Sequence, residues 1–292
     1  LTQRARLTAV AMAALLPALP LRAPTAEPSR YAWESRLRAD TIALLGEVHD
    51  NGVQQRLRLE ILQRAVQAGW RPAIAMEQFD REHQADIDRA RITRPLDADY
   101  LIRQAAGAVG TASASGWNWS YYRPYVALAL AYRLPLLAAN LSRSDAERIV
   151  RHGYQAVFDA GAMAALKLQR PASGLLSSQV KEVEEGHCHA LPQELLPDMA
   201  RAQLARDAVM AALLSAHAAQ GVVLLAGDGH VRRDLGVPRW LDGALLPRLL
   251  SVGFLERGVT DPPASAFDAV IVTPAAARSD PCAPLRRHGG RP

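Results

Sequence analysis

Four short runs of the chain are apolar almost throughout and turn polar at their carboxyl ends: Ile42–Glu47, Ala73–Phe79, Leu136–Leu141 and Val222–Ala226. Unbroken apolarity, in place of the alternation of a strand with one wet face, predicts parallel strands covered on both sides. Between the first two runs, Val53, Leu57, Ile61 and Ala65 recur every fourth residue with Leu62 and Val66 alongside, which predicts one helical stripe. Asp50 or Asn51 can cap that helix and Gly69 can end it. Strand, helix and strand in this order make a βαβ unit with a right-handed crossover.

Residues 80–116 are rich in charge and alanine and predict a helical insertion, reaching to about 120. A helix over Tyr121–Tyr132 leads into the third run. Residues 144–219 read as further helices, interrupted near Pro171–Ser178 and at "EEGHCHALP". After the fourth run, "WLDGALLPRLLS" suggests one more helix, and "VGFLER" and "FDAVIVTP" suggest late edge strands. There is no repeat array, no P-loop and no GxGxxG. The order of elements predicts an α/β fold, a mainly parallel sheet flanked by helices with a helical cap insertion.

Composition narrows this picture at its two ends. With 292 residues, 49% of them hydrophobic, the chain can bury a large core. Residues 1–30 do not fit that core: Arg4 and Arg6, an apolar stretch from Leu7 to Leu21, then small residues and prolines keep the order of a secretory signal peptide. The expected organisation is a signal peptide over 1–30, one domain over 31–275 and a disordered tail over 276–292. No cysteine lies near the expected cleavage region, so a lipid anchor there is not supported. Export would let Cys188 and Cys282 pair, and they can equally be free thiols. The net charge of +5 is almost all arginine, since Lys167 and Lys181 are the only lysines. The arginines are scattered among acids, with no basic block interleaved with aromatics, which argues against nucleic acid.

The candidate chemistry lies at the strand ends. "TIALLGEVHDN" and "VVLLAGDGHVR" both end an apolar run in glycine, an acid and a histidine two residues on: Glu47 with His49, and Asp228 with His230. In a parallel sheet these ends converge on one rim, where ligands collect. Residues two apart on an extended chain share a face, so each acid should sit with its histidine. Gly46, Gly227 and Gly229 would allow sharp turns or close approach. Glu47, His49, Glu77 and His230 are candidate ligands for a divalent metal, and Glu47, His49, Asp228 and His230 are candidate catalytic groups of a hydrolase. The plainer reading is helix capping, which suits Asp50 and Asn51 better than a twice-repeated motif.

The stretch "GWNWSYYRPY" packs Trp117, Trp119, Tyr121, Tyr122 and Tyr125 into nine residues. It is either a packing cluster at a helix start or a flat surface for a planar ligand, with a tyrosine able to ligate haem iron and Arg123 able to pair with a propionate. His187 and His189 flank Cys188 and are weaker candidate ligands.

The segments "LLGEVHDN", "AMEQFDR", "WNWSYYRPYVALALAYRLPLLAANLSR", "GHCHALP", "MARAQLARDAVMA" and "LLAGDGHVRRDLGVP" resemble, in order, the signatures of ChaN-like proteins of the Tiki and erythromycin-esterase-like superfamily. The resemblance runs from about Thr41 to Pro238. It implies an exported haem-binding protein tied to iron uptake and to membrane-associated uptake machinery. It also implies a homodimer that holds haem face to face, with iron held by a tyrosine and a histidine nearby. Tyr122 and Tyr125 are the candidate tyrosines, with Arg123, His49, His187 and His230 as further haem contacts. In hydrolytic relatives, paired motifs such as Gly46–His49 and Gly227–His230 carry catalysis, so a metal-dependent hydrolase is the alternative. Two departures are the missing lipid-attachment cysteine and the second histidine of "GHCHALP".

Overall fold

The computed structural model, described over residues 30–106, 116–258, 262–280 and 282–283, turns each apolar run into a strand of one sheet. In chain order the elements are β1 (Ile42–Leu45), α1 (Gly52–Gln67), β2 (Ala73–Asp80), α2 (Gln84–Thr93), α3 (Ala98–Ala106), α4 (Trp119–Ala131), β3 (Leu136–Asn140), α5 (Arg143–His152), α6 (Ala160–Ala165), α7 (Leu175–Gly186), α8 (Leu196–His217), β4 (Val222–Leu225), α9 (Asp228–Val231), β5 (Leu249–Glu256) and β6 (Ala269–Thr273). Among the described residues, six strands pair in the order β3-β2-β4-β1-β5-β6, all parallel. The expected signal peptide, 1–30, lies outside the described residues except for Arg30, as do the part of the insertion at 107–115 and residues 281 and 284–292 of the expected tail. Among the described residues no helix is long and apolar enough to cross a membrane.

The unbroken apolarity has the predicted cause. Ala43, Leu45, Ile74, Met76, Val223 and Leu225 point to one face and pack with Ile61, Leu62 and Val66 of α1 and with α4. Their neighbours Ile42, Leu44, Ala73, Ala75, Val222 and Leu224 point to the other and pack with Ile149 of α5 and Leu204 and Met210 of α8. The insertion helices join the first layer through Ile87, Leu101 and Ile102, so they extend a core face. Two expectations change. β5 is an interior strand, with Ile42 opposite Leu249, and only β6 lies at that edge. The helix expected over "WLDGALLPRLLS" is a short 3₁₀ turn at Gly243–Arg248 around Pro247, and Leu249–Ser251 already belong to β5. Proline cannot donate to an α-helical ladder, which favours that shortening.

Helix α1 begins as expected, with Asn51 Oδ1 accepting from the amides of Val53 and Gln54 at 3.0 and 3.2 Å. Its inner face departs from the predicted stripe. Ile61, Leu62 and Val66 are buried, but in the first two turns the buried side chains are Gln54, Gln55 and Arg58. The first part of the C-terminal tail is held in place as well. Asn51 Nδ2 donates to the Pro274 carbonyl at 2.9 Å, the Ala276 amide to Glu256 at 2.8 Å, and Arg278 to Asp50 at 2.8 Å. Cys282 then pairs with Cys188, a disulfide spanning 94 residues of sequence. A cross-link of that span constrains the unfolded chain by about 4.5 kcal/mol in the loop-entropy treatment. Cys282→Ser is therefore expected to shift the guanidinium midpoint down, and the shift should vanish when wild type is measured with reductant.

Candidate functional site

The carboxyl ends of β1, β2 and β4 lie side by side, with Leu45 level with Leu225 and Leu225 level with Met76. Glu47, two residues beyond β1, is the most heavily contacted acid there. It is 2% exposed, and one oxygen accepts from the Tyr122 hydroxyl at 2.7 Å and meets His49 Nδ1 at 3.0 Å. The other oxygen is held by Gln55 Nε2 and by the guanidinium of Arg58. Arg58 is fully buried and also donates to the Leu45 carbonyl at 2.9 Å and to Gln55 Oε1 at 3.0 Å. Burial alone would lower its pKa, but Glu47 overrides that and holds it above the ordinary value. This is why the inner face of α1 is polar near its start: the helix delivers an arginine and a glutamine beneath the rim.

The second acid–histidine pair does not form as expected. Immediately after Gly227 the chain turns into α9, and residues two apart on a helix point about 200° away from each other. Asp228 turns inward, where its Oδ1 accepts from the Phe254 amide at 3.1 Å and fills the space a side chain on Gly46 would need. Its Oδ2 is buried with no partner among the described residues. Burial pushes this carboxyl up to about 7, although the Phe254 amide works against the shift. His230 instead meets two other acids. Its Nδ1 is 2.6 Å from Asp207 Oδ1 on α8, and its Nε2 is 3.5 Å from Glu77 Oε1. Burial alone would lower its pKa, yet the two carboxylates raise it to about 10, favouring the protonated ring. Glu77 sits where β2 bulges against β3, the register shifting between Met76 and Asp80. A bulge re-aims side chains, and Glu77 Oε2 here accepts from the Gly227 amide at 2.8 Å.

His49 and His230 reach the same rim. The His49 ring lies against Gly227, where an added Cβ would come within 2.9 Å of it, and both imidazoles border a cleft of about 380 Å³ with His187 and Asp228. His49 is 47% exposed along its side chain. Burial opposes its charge, but the hydrogen bond to Glu47 raises its pKa. Its outer edge meets Trp117 with ring centroids 4.7 Å apart, and these two rings open onto a second cleft of about 600 Å³. A third cleft of about 440 Å³ runs between α5, α7 and α8.

The remaining predicted residues separate into two groups. His187 lines the first and third clefts, its Nδ1 donating to the Val183 carbonyl at 2.7 Å. Tyr122 and Tyr125 are fully buried. The Tyr125 hydroxyl donates to the Gln55 carbonyl at 2.7 Å, and burial pushes its pKa up to about 12. Neither phenol lines these clefts; Tyr122 supports Glu47 directly and Tyr125 supports it through Gln55. Arg123 is exposed and pairs with Asp99 at 2.7 and 2.8 Å. His189 is exposed beside Glu184. The expected divalent-metal set of Glu47, His49, Glu77 and His230 is not brought together for ligation. Glu47 is neutralised by Arg58, both nitrogens of His230 face carboxylates, and among the described residues no group of three or more acids, histidines or cysteines is placed to hold an ion. Sequence patterning did not single out Asp207, Gln55 or Arg58. Arg58 and Gln55 lie three and six residues before Ile61, on the backward continuation of the apolar face, which is the signal that marks them.

A parallel sheet with a charged, cleft-bearing rim defines an α/β ligand-binding domain. The model of the family described as haem-binding uptake, Tiki superfamily, ChaN matches residues 33–241, and the chain belongs to that family. Among curated proteins none matches it significantly. Among solved structures it is similar to ChaN of Campylobacter jejuni, described for cofacial haem binding, with 22% identity, a TM-score of 0.62, and coverage of 81% of this chain and 88% of that one. The type III effector HopBA1 (12% identity, TM-score 0.43, 88% and 100% covered) and the erythromycin esterase EreC (13%, 0.42, 82% and 78%) are more distant in shape.

The buried charges make two outcomes measurable. Arg58→Met leaves Glu47 without its cation and should lower unfolding free energy by about 3–5 kcal/mol, while adding Glu47→Gln should recover most of the loss in denaturant titrations. Asp228 has a folded pKa above its unfolded value, so its contribution to stability is intact below about pH 3.8 and falls as pH rises toward 7. The Tm of Asp228→Asn relative to wild type should therefore increase between pH 4 and pH 8.

Proposed function

We propose that the chain is an exported haem-binding protein serving haem or iron uptake, with haem seated in the cleft between His49 and Trp117 and a second copy of the chain closing over it. Family membership supports the haem assignment, and cofacial haem in the Campylobacter jejuni relative supports the paired arrangement. The observation that carries the reading in this chain's own residues is the state of His49. Its Nδ1 is engaged by Glu47, while Nε2, beside Gly227, makes no hydrogen bond among the described residues, and the half-exposed ring borders both this cleft and the one at Gly227. An imidazole fixed in this way by a carboxylate is a common way to present a nitrogen to iron. Trp117 adds a flat apolar wall, and a cleft of about 600 Å³ lies within the range of cofactor sites. Haem bound there supplies the iron chemistry; Glu47, Arg58 and Tyr122 hold the imidazole in place. Tyr122 and Tyr125, the tyrosines to which the resemblance points, are engaged by Glu47 and Gln55 in this structure, which favours His49 as the iron contact.

The alternative, a metal-dependent hydrolase using the paired Gly-acid-x-His segments, has less support. The two carboxylates on either side of His230 favour its protonated form, which disfavours it as a base, and Asp228 Oδ1 is engaged by the Phe254 amide. Titrating purified protein with ferric haem should give a saturable Soret shift, weakened at least about tenfold in His49→Ala and retained in Tyr122→Phe. Sedimentation should show the mass doubling as haem is added. No shift at micromolar haem would overturn the reading, and a haem-loaded monomer would remove the second copy from it.

A further inference from the structure

The cleft between α5, α7 and α8 is lined by three guanidiniums, those of Arg143, Arg151 and Arg206. Two of them, Arg143 and Arg206, also line the His49–Trp117 cleft, so the two cavities meet at that pair. The positive charge there is under-compensated. Glu147 is the one carboxylate lining the third cleft, and it is shared by Arg143 at 3.1 Å and Arg151 at 3.8 Å. Arg206 makes no ion pair among the described residues. One of its terminal nitrogens donates to Gln203 Oε1 at 3.1 Å, and its Nε is buried with no partner. Of the acids lining the neighbouring cleft, Glu77 is committed to His230, and Asp80 influences Arg206 only through space. The same cleft also has an apolar lining, from Ala146, Val150, Val183 and Met199.

A cavity that combines apolar side chains with surplus guanidinium charge suits a molecule with an apolar body and free carboxylates. Guanidinium binds carboxylate through paired, charge-assisted hydrogen bonds that a neutral ester cannot reproduce. We propose that Arg143 and Arg206, with Arg151 behind them, form the carboxylate-reading arm of the haem site, making it selective for tetrapyrroles with free acid side chains whether or not they carry iron. This rests on the haem reading above, with His49 addressing the metal and the arginines addressing the acids from the far side of the junction.

The test compares four probes on the full chain: ferric haem, metal-free protoporphyrin, and the dimethyl ester of each, monitored by absorption and by quenching of tryptophan fluorescence. Wild type should bind both free acids and reject both esters. Arg206→Met should weaken the free acids by roughly ten- to a hundredfold and abolish the discrimination. It should leave the Soret maximum of saturated haem unmoved, because the iron end is intact. Arg206→Lys should restore part of the affinity, and Arg123→Met, on the outer surface, should behave as wild type. Circular dichroism of Arg206→Met separates lost binding from lost fold. Esters that bind wild type as tightly as the acids, or an Arg206→Met protein that still discriminates, would overturn the arginine assignment and leave the haem reading standing. Binding of none of the four would overturn both.

Discussion

A guanidinium with no access to water lies beneath the carboxyl ends of the strands, and the acid that neutralises it is the same acid that orients His49. Arg58 and Glu47 therefore cannot be treated as a structural pair beside a functional one. Taking two charges out of water costs less the more of their remaining hydrogen-bonding positions are filled. Gln55, Tyr122 and the Leu45 carbonyl fill most of them, and Arg58 Nε alone of that guanidinium is buried without a partner among the described residues. Two polar turns of α1 and the aromatic start of α4 are built around this requirement.

The rim thus has two kinds of imidazole. His49 is half exposed with one nitrogen free, whereas His230 is enclosed between Asp207 and Glu77, whose carboxylates favour its protonated form. The motif that repeats in sequence does not repeat in role. The difference arises from the backbone after each glycine. Beyond Gly46 the chain stays extended long enough for Glu47 to reach His49, and beyond Gly227 it coils at once, so the acid and the imidazole part company.

The sheet was legible because strands covered on both faces have no polar alternation to confuse them with anything but a buried helix, and their short lengths settle that choice. The meeting of residues 49 and 230 at one rim was a consequence of parallel topology alone. What could not be read was which acid would serve which histidine. Asp207 lies mid-helix in α8, where an aspartate looks like a solvated residue, and only the packing of α8 across the sheet turns it toward His230. The aromatic cluster misled for a related reason. Tyr122 and Tyr125 have the right chemistry for iron, but their spacing also continues a buried face, and burial won. The joining of Cys188 to Cys282 was equally undetermined, since nothing local says where a chain terminus will run. Arg278 on Asp50 and the Ala276 amide on Glu256 bring it there.

One property of the sheet bears on how the molecule is made. β1 and β2 are consecutive in the chain but are not neighbours, because β4 lies between them and bonds to both. Until β4 follows α8, β1 and β2 lack the neighbour that both bond to, and native-like placement of the two would leave facing edges with unsatisfied amides and carbonyls. Such edges invite pairing with any passing extended segment. The strand that fills the slot is the one whose end carries Gly227, so closing that gap and bringing the two histidines to a common rim are a single event.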